Sequence, residues 1–339
     1  MTLKEIAAQA GVSVSTVSRV INQKGSKSAS KEIQDRIWEI VRSSGYTPNH
    51  MAQSLKLGSH VAGRSLSIAC LFARSVNSYS DPFFSSLARR IEETAIQMGH
   101  VVKYTFSSVD FQDQSILNTI KDNNVSGVII LGRCDPQLLK LLKQYFGYVA
   151  YTGLNRLNAD YDQIICDGKE ASKVAVSYLI GLGHTKIGYF GEMQNEDRYI
   201  GYRTALIEHG LPINPDYAFN VILSSEGGYK GADQLLALED RPSAIFCAND
   251  VTAIGVIRKL NEHGVRVPED VSVISIDDLE TSKYMSPALT TIKIPVEEMG
   301  PAATKVLIDR INGGHKLPCK MYLPFKLIER ESCCPSRQK

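Results

Sequence analysis

The chain has 339 residues, of which 43% are hydrophobic and 22% are charged, and its formal net charge is only +2 at pH 7. It has no apolar run of membrane-spanning length and no secretory leader pattern, which argues against a membrane or exported protein. The seven cysteines are scattered and lack metal-site spacing. We therefore expect a cytoplasmic protein with reduced thiols, no metal, no cofactor and no membrane partner.

The basic residues are concentrated at the start of the chain. Residues 1–64 carry nine Lys and Arg against four Asp and Glu, a net of +5 that leaves −3 for the remainder. A basic head on a slightly acidic body is typical of a phosphate-contacting module joined to a regulatory domain. A basic face that only meets solvent would give the same charge count.

The first predicted element is a helix–turn–helix over residues 3–22. Thr2 and Glu5 form a capping box, Gly11 suits a tight turn, and Ser13 can cap the second helix. The outer face of that helix carries short polar groups, one arginine and one small apolar group, which can meet base edges and phosphates in a major groove, namely Val14, Ser15, Ser18, Arg19 and Asn22. A helical hairpin buried against another domain is the alternative.

A third helix is predicted over residues 31–44, with Ser30 as its cap and Trp38 as a partly exposed packing residue. Its inward face consists of Ile33, Ile37, Ile40 and Val41. Residues 50–57 (HMAQSLKL) are too short to hold as an isolated helix, and residues 58–65 resemble a linker. A marginal helix beside a linker can couple two domains because it forms only when something orders it. A plain connector is the alternative.

From residue 66 onward, apolar strands alternate with amphipathic helices. The predicted strands are 66–72, 101–105, 127–131, 148–151, 163–166, 186–190, 244–247, 271–276 and 290–292. The predicted helices are 83–98, 112–123, 136–145, 168–182, 198–209, 226–239, 250–263 and 296–312. This alternation predicts parallel sheets with helices on both faces, and a body of about 270 residues suits two such sheets.

Ligands of open parallel sheets bind beyond the carboxyl ends of the strands. The side chains expected there are polar, namely Ser75, Tyr79, Arg133, Asp135, Glu192, Asn249, Asp250, Asp277 and Asp278. They include no nucleophile–base pair, and no phosphate-binding or dinucleotide motif is present, so no enzymatic activity is predicted. Asp277 and Asp278 could form a carboxylate pair, but adjacent strand-end side chains point apart. His184 is interpreted as a satisfied turn histidine.

Together these segments resemble the lactose/galactose-repressor (LacI/GalR) family of bacterial transcription regulators over nearly the whole chain. The matching segments are 3–22, 45–57, 127–132, 248–250, 267–278 (VPEDVSVISIDD), 289–293 (LTTIK) and 325–332 (FKLIERES). The resemblance implies an N-terminal all-α helix–turn–helix domain. It also implies an α/β periplasmic-binding-protein-like core of two doubly wound parallel-sheet subdomains.

The implied domains are 1–49 for the DNA-binding head, 50–65 for a hinge helix and linker, 66–332 for the core, and 333–339 for the tail. Within the core, the N-subdomain is expected at 66–162 plus 294–323, and the C-subdomain at 164–291 plus 325–332. Three crossovers are expected near 161–165, 291–296 and 322–326.

The resemblance also implies which residues contact operator DNA. Val14 and Ser15 would read bases, and the contacts would be shared by Thr2, Ser13, Thr16, Ser18, Arg19, Asn22, Asn49, His50, Gln53, Ser54, Leu55 and Lys56. Leu55 of the hinge helix would wedge into the minor groove at the operator centre, which Lys56 would help to read. Leu55 as ordinary linker filler is the alternative. The loop over residues 23–29 is longer than the family's commoner spacing, so its phosphate contacts are not carried over.

For the core, the resemblance implies an effector in the cleft between the subdomains. The matching positions are Tyr79, Pro82, Arg133, Arg198, Glu226, Asn249 and Asp277. Arg198 offers a planar donor fork and Asp277 a pair of acceptors, which together can hold vicinal hydroxyls of a sugar. A salt bridge between Arg198 and Asp277 that locks the subdomains is the alternative. Glu226 stands where some members carry an aromatic platform.

The predicted function is therefore a dimeric repressor that binds a near-palindromic operator and releases it when a small carbohydrate binds. One alternative keeps the DNA binding but replaces the sugar with a purine or a phosphoprotein corepressor. A solute-binding protein and a doubly wound enzyme are alternatives of other classes. The basic head argues against the first of these, and the lack of catalytic groups argues against the second.

Overall fold

The computed structural model describes residues 3–21, 29–44, 65–73, 81–108 and 125–337. The chain divides into two compact units, Met1–Arg64 and Ser65–Lys339. The predicted hinge helix over 50–57 and the predicted helix over 112–123 lie outside the described residues. No helix in the described part of the chain is long and apolar enough to cross a membrane.

The first unit contains three helices, α1 (Leu3–Ala10), α2 (Val14–Ile21) and α3 (Lys31–Ser44), as the helical periodicity predicts. Gly11 takes a φ of +67°, which allows the tight turn between α1 and α2 without steric strain. The Ser30 hydroxyl accepts the N–H of Ile33 at the start of α3. The small apolar core consists of Ile6, Ala7, Ala10, Val17, Val20, Ile37 and Val41. Trp38 packs against this core while remaining partly exposed, as predicted.

The second unit is built on two six-stranded sheets within its described residues. The first sheet contains β1 (Ser67–Phe72), β2 (Val101–Ser107), β3 (Gly127–Leu131), β4 (Tyr148–Gly153), β5 (Asp162–Ile165) and β11 (Lys320–Tyr322). The second contains β6 (Ile187–Gly191), β7 (Ala218–Asn220), β8 (Ala244–Cys247), β9 (Ser272–Asp277), β10 (Thr290–Lys293) and β12 (Lys326–Ile328). We call the lobes around these sheets the N lobe and the C lobe.

The strand orders are β11-β5-β4-β3-β1-β2 in the N lobe and β12-β10-β9-β8-β6-β7 in the C lobe. All pairings are parallel except that of β12 with β10. The helices that pack on these sheets are α4 (Pro82–Gln97), α5 (Pro136–Tyr145), α6 (Gly168–Gly181), α7 (Asp197–Glu208), α8 (Ser225–Leu236), α9 (Asp250–Glu262) and α10 (Val296–Ile311). The predicted doubly wound architecture with two parallel sheets is therefore confirmed.

Within its described residues, the second unit passes between the lobes three times. It leaves the N lobe after β5 to form α6, and it returns after β10 to form α10, which packs against α4 of the N lobe. It passes back between β11 and β12. Because all three passages lie beside the strand ends, the two sheets present their carboxyl edges to a common cleft.

The structure adds three strands that the sequence pattern does not predict, β7, β11 and β12. Each has three residues and lies at a sheet edge, where one face meets solvent. The three residues of β11 are all exposed, so they show no hydrophobic alternation. This segment is a strand only because it pairs with β5.

Candidate functional site

The start of α2 presents a group of short polar side chains. The Ser13 hydroxyl accepts the N–H of Thr16 at 3.2 Å, and it lies 2.8 Å from Ser15 Oγ and 2.9 Å from Thr16 Oγ1. Ser13 and Ser15 are exposed, whereas Val14 and Thr16 are partly buried. Ser18 and Arg19 also fall within α2. A helix start with exposed hydroxyls can offer hydrogen bonds to phosphates and base edges.

The other predicted DNA contacts lie outside the described residues. They are Thr2, Asn22, Asn49, His50, Gln53, Ser54, Leu55 and Lys56. The same holds for Tyr79 and Ser75 of the predicted cleft. These assignments therefore stay predictions.

Between the lobes lies a small cavity of about 30 Å³, which has room for about one water molecule. Its lining consists of Asp81, Phe83, Phe84, Gly132, Arg133, Leu154, Asn155, Glu196, Arg198, Asn249 and Asp277. Both lobes contribute, through the strand ends and through the residues that cap the following helices. We call this space the inner cavity.

Four of the predicted effector residues line the inner cavity, namely Arg133, Arg198, Asn249 and Asp277. Pro82 lies at the first turn of α4 and borders a neighbouring cavity of about 260 Å³, which Asp277 also lines. Glu226 is not among the lining residues. Its side chain, 74% exposed on α8, forms an ion pair with Lys230. The structure therefore gives no support to an effector contact from Glu226.

The centre of the cavity is an ion pair within the C lobe between Glu196 and Arg198. Glu196 Oε1 accepts Arg198 Nε at 2.7 Å, and Oε2 accepts Nη2 at 3.0 Å. Arg198 Nη1 donates to the Ala248 carbonyl at 2.8 Å. Burial lowers the pKa of the Arg198 guanidinium, but the charge of Glu196 and its hydrogen bonds outweigh burial and raise it.

This pairing argues against the alternative interpretation, a salt bridge between Arg198 and Asp277. Arg198 and Asp277 both belong to the C lobe, so a bridge between them could not lock the two lobes together. The ion pairs of Arg198 run to Glu196 instead. The sequence pattern does not indicate this partner, because Glu196 lies five residues beyond the end of β6 and caps α7.

Arg133 makes the contact across the cleft. It follows β3 of the N lobe, and its Nη1 donates to the carbonyls of Gln194 at 2.8 Å and Asn195 at 3.1 Å. The same atom lies 3.3 Å from Glu196 Oε2, and Nη2 pairs with Glu192. These bonds connect the N lobe to the segment between β6 and α7, and they stabilise a closed cleft.

Two further hydrogen bonds support this closure. Asn155, after β4, donates from Nδ2 to the Asn195 carbonyl at 3.2 Å. The backbone N–H of Arg156 donates to Asp197 at 3.2 Å. The segment after β6 is therefore the point where the N lobe holds the C lobe.

Asp277 supplies the acceptors on the C-lobe wall. It is 8% exposed and ends β9 with a φ of +137°. Burial raises the pKa of its carboxyl well above the usual range, and the charges of Asp250 and Asp81 add to this effect. The next carboxylate, Asp278, pairs with Arg330 instead. The expected divergence of the two adjacent carboxylates is confirmed.

Asp250 holds these strand ends in place. Its Oδ1 accepts the hydroxyls of Ser275 at 2.5 Å and Thr291 at 2.6 Å. Its Oδ2 accepts the N–H of Leu279 at 2.8 Å and the hydroxyl of Ser282 at 2.6 Å. Asn249, beside it, uses Oδ1 to cap α9 through the N–H of Thr252, which leaves its amide group for a ligand.

Two polar groups outside the lining of the inner cavity have partners within the protein. His184 is buried, and its ring nitrogens lie 2.9 Å from Ser243 Oγ and 3.0 Å from the Cys334 carbonyl, so it is the expected satisfied histidine. In the N lobe, Asp162, His315 and Cys319 bring possible metal ligands within 4.8 Å of one another. Hydrogen bonds from Arg310 already occupy both Asp162 oxygens, so this group is a completed ion-pair network.

Several cavity residues were not predicted from sequence: Asp81, Phe83, Phe84, Asn155 and Glu196. Phe83 and Phe84 open α4 after the capping residue Asp81, and their rings pack edge to face with centroids 5.2 Å apart. The pattern Asp-Pro-Phe-Phe is typical of a helix start. The helix that it predicts is α4, which follows β1 along the chain. This signal could have placed the two rings at the cleft.

Comparisons with known proteins match both units. Residues 2–49 match the model described as bacterial regulatory proteins of the lacI family, and residues 176–333 match a periplasmic binding protein-like domain. The HTH-type transcriptional repressor PurR of Aliivibrio salmonicida (strain LFI1238) is 32% identical over 327 residues, which is 93% of each chain.

Two solved structures also resemble the chain over nearly its full length. A complex of the transcriptional regulator CelR with cellobiose has a TM-score of 0.72 at 26% identity, covering 98% of this chain and 99% of that one. The lac repressor dimer bound to operator and the anti-inducer ONPF has a TM-score of 0.74 at 25% identity, with the same coverage. The curated relatives are PurR repressors and do not support the expected carbohydrate effector.

Proposed function

Because the chain belongs to the lacI family of bacterial regulatory proteins, a family of DNA-binding transcriptional repressors, we propose that a small effector bound in its cleft controls its affinity for operator DNA. The head would read one operator half-site with Val14 and Ser15. A homodimer in the cytoplasm would bind both halves. The observation that carries the proposal is the inner cavity, where polar side chains from two lobes converge beside the contacts of Arg133.

The proposed mechanism follows from these contacts. An effector larger than the inner cavity can enter only if the lobes separate, which requires the bonds of Arg133 to Glu192 and Glu196 to rearrange. The effector would then favour one relative placement of the lobes. Because the coupling is reciprocal, operator would change effector affinity by the same factor.

For the effector we favour a purine base over the carbohydrate expected from sequence. Its support is the set of curated PurR relatives and the chemistry of the cavity. Phe83 and Phe84 offer an apolar ring surface, while Arg198, Asn249 and Asp277 offer donors and acceptors to the edge of a planar heterocycle. A sugar would use the same polar groups, so the two must be separated by experiment.

The experiment begins with an operator duplex selected by the purified full-length protein from a random library. Hypoxanthine, guanine and adenine are compared with glucose, galactose, ribose and cellobiose by thermal shift and by operator-binding anisotropy. A purine base should raise the melting temperature and change operator affinity by about tenfold or more. If a sugar does both and no purine does either, the carbohydrate effector is correct and the purine proposal is wrong.

The position of the effector site is tested with Asp277→Asn, which replaces one carboxyl oxygen by an amide nitrogen and preserves side-chain size. Loss of one hydrogen-bond acceptor in the cavity should weaken binding of the active compound by about tenfold or more. Glu226→Gln is the matched control, because its exposed carboxylate lies outside the cavity. Equal losses in both variants would place the effector elsewhere.

The DNA contacts are tested with substitutions in the head and hinge. Arg19→Ala should weaken binding at most sequences alike, whereas Leu55→Ala should remove the specific, bent complex. Anisotropy on selected and scrambled duplexes measures the first effect, and a gel-mobility bending assay measures the second. Unchanged operator affinity in Leu55→Ala would contradict the assigned hinge contact.

A further inference from the structure

The inner cavity contains an anion supplied by the protein itself. Glu196 is 1% exposed and lies between the guanidinium groups of Arg198 and Arg133, which come from different lobes. Its Oε2 lies 3.0 Å from Arg198 Nη2 and 3.3 Å from Arg133 Nη1. One buried carboxylate therefore contacts both cations.

The remaining donors of the two guanidinium groups are also engaged. Arg198 Nη1 donates to the Ala248 carbonyl, and Arg133 donates to two backbone carbonyls and pairs with Glu192. Binding of a phosphate or carboxylate by arginine normally uses a free planar fork of two N–H groups. Neither arginine offers such a fork in the closed cleft.

The other charged groups that line the inner cavity are acidic. Among its described lining residues, the cations are Arg133 and Arg198, and the carboxylates are Glu196 and Asp81. Asp277 also lines the cavity, but it is left out of this balance because burial raises the pKa of its carboxyl. Glu192 adds a further carboxylate at the end of Arg133. An entering anion would meet this negative excess, and it could reach Arg198, which shares the C lobe with Glu196, only by displacing Glu196 and leaving a buried carboxylate unpaired.

We propose that Glu196 acts as an internal counter-anion that restricts the effector site to uncharged or cationic molecules. Phosphorylated or carboxylated forms of an otherwise suitable effector are rejected. For the purine class, this selects a base or nucleoside over a nucleotide. The inference rests on the proposed function only in assuming that the effector binds in this cleft.

The first test uses matched pairs on the full-length protein: hypoxanthine against inosine 5′-monophosphate, and glucose against glucose 6-phosphate. Isothermal titration should show that the uncharged member of the active pair binds about tenfold tighter or better, because juxtaposed like charges are strongly unfavourable. Equal or tighter binding of the phosphorylated member overturns the proposal. If no uncharged compound binds, the proposed effector classes are wrong. The exclusion of anions is then tested by titration with inorganic phosphate alone.

The second test is Glu196→Gln titrated with inorganic phosphate. Glutamine keeps the size of the side chain and an oxygen to cap α7, but it removes the negative charge between the two arginines. The wild type should not bind phosphate, and the variant should bind it. Phosphate binding by the wild type, or a folded variant that gains none, overturns the proposal.

Glu226→Gln is the control for the charge change, since it removes one carboxylate at an exposed position. It should gain no phosphate binding, and a gain equal to that of Glu196→Gln would show that net charge alone is responsible. If Glu196→Gln does not give a cooperative melting curve, Glu192→Gln replaces it. Glu192 is 27% exposed and pairs with Arg133, so a smaller gain is expected there, and its absence counts against the proposal.

Discussion

Each lobe contains an aspartate that is at most 1% exposed, and the two lobes stabilise these aspartates in opposite ways. Asp162 begins β5 in the N lobe and is 1% exposed, and Asp250 begins α9 in the C lobe and is fully buried. Asp162 accepts two hydrogen bonds from Arg310 at 2.6 and 2.7 Å and one from the Cys319 N–H at 2.8 Å. Asp250 accepts three hydroxyls and one backbone N–H, all of them neutral donors.

The pKa values of the two carboxyls differ accordingly. Burial raises the pKa of both, but for Asp162 the hydrogen bonds from Arg310, the Cys319 N–H and His315 outweigh burial and leave the pKa below its ordinary value. For Asp250 the neutral donors do not suffice, and the pKa stays above its ordinary value. Since both accept about as many hydrogen bonds, the countercharge decides the direction.

The difference matters for the cleft. Asp162 binds the loop before β11 to β5, away from the inner cavity, whereas Asp250 positions the ends of β9 and β10 that carry Asp277. A fixed cation beside Asp250 would also neutralise the carboxylates of the ligand site. The neutral network orders that site and preserves its acidic character.

The largest effect is expected from Arg310→Ala, which leaves Asp162 buried without its cation. Breaking one side of a buried ion pair should lower the free energy of unfolding by about 3–5 kcal/mol, measured by urea denaturation at pH 7. The control is Arg89→Ala, which removes an exposed i,i+4 partner of Glu93 and should change stability little. Similar small effects in both would mean that the Arg310 pair contributes no net stability.

Asp250→Ala should cause the second-largest loss of stability, because it leaves three hydroxyls and one N–H without their acceptor. We expect a loss of about 3 kcal/mol in the same assay. The control is Asp233→Ala. Asp233 is exposed on α8 and pairs with Lys259 of α9. If Asp250→Ala matched its control, the network would not be needed to hold the strand ends.

The pH dependence of two variants should differ in sign. Because the pKa of Asp250 is raised from 3.8, its stabilising contribution is present at low pH and is lost as the pH rises through the folded-state pKa. The stability advantage of wild type over Asp250→Asn should therefore shrink as the pH rises above 3.8 through the raised folded-state pKa.

The lowered pKa of Asp162 gives the opposite sign. Its contribution is present above the ordinary value of 3.8 and is lost as the pH falls through the folded-state pKa. The effect of Arg310→Ala should therefore decrease in acid. Parallel pH profiles for Arg310→Ala and Asp250→Asn would contradict the contrast between the two aspartates.

The smallest effect is expected from His315, the second cationic partner of Asp162. Hydrogen bonds to Asp309 and Asp162 raise its pKa above 6.5, although burial opposes them. Its stabilising contribution is therefore complete below pH 6.5 and is lost as the pH rises through the raised value. His315→Asn should lower the free energy of unfolding by less than about 1 kcal/mol near pH 6 and should not change it at high pH. Thermal unfolding at the two pH values measures this difference.

Much of the fold could be predicted from local pattern. The long helices and central strands agree with prediction to within a few residues, because each buries a continuous apolar run or stripe. The edge strands β7, β11 and β12 could not be predicted, since three residues carry no measurable periodicity. Their hydrogen-bonding partners come from distant parts of the chain.

The site residues that could be predicted are those whose position relative to a strand fixes their place in the fold. Arg133, Asn249 and Asp277 lie at strand ends or within two residues of them, so a parallel sheet places them at the cleft. Glu226 was assigned by resemblance alone, and its helix turns the carboxylate outward to Lys230. Glu196 was missed because its importance depends on two arginines that only folding brings together.

By itself, the sequence determined a helix–turn–helix head and a body of two parallel sheets with a polar cleft, because short-range periodicity and turn chemistry encode these features. Only the tertiary structure decided which charges meet. The pairing of Glu196 with Arg133, and of Asp162 with Arg310, joins residues that are distant in sequence. Electrostatic energy depends on distance and burial, and neither is encoded in local sequence.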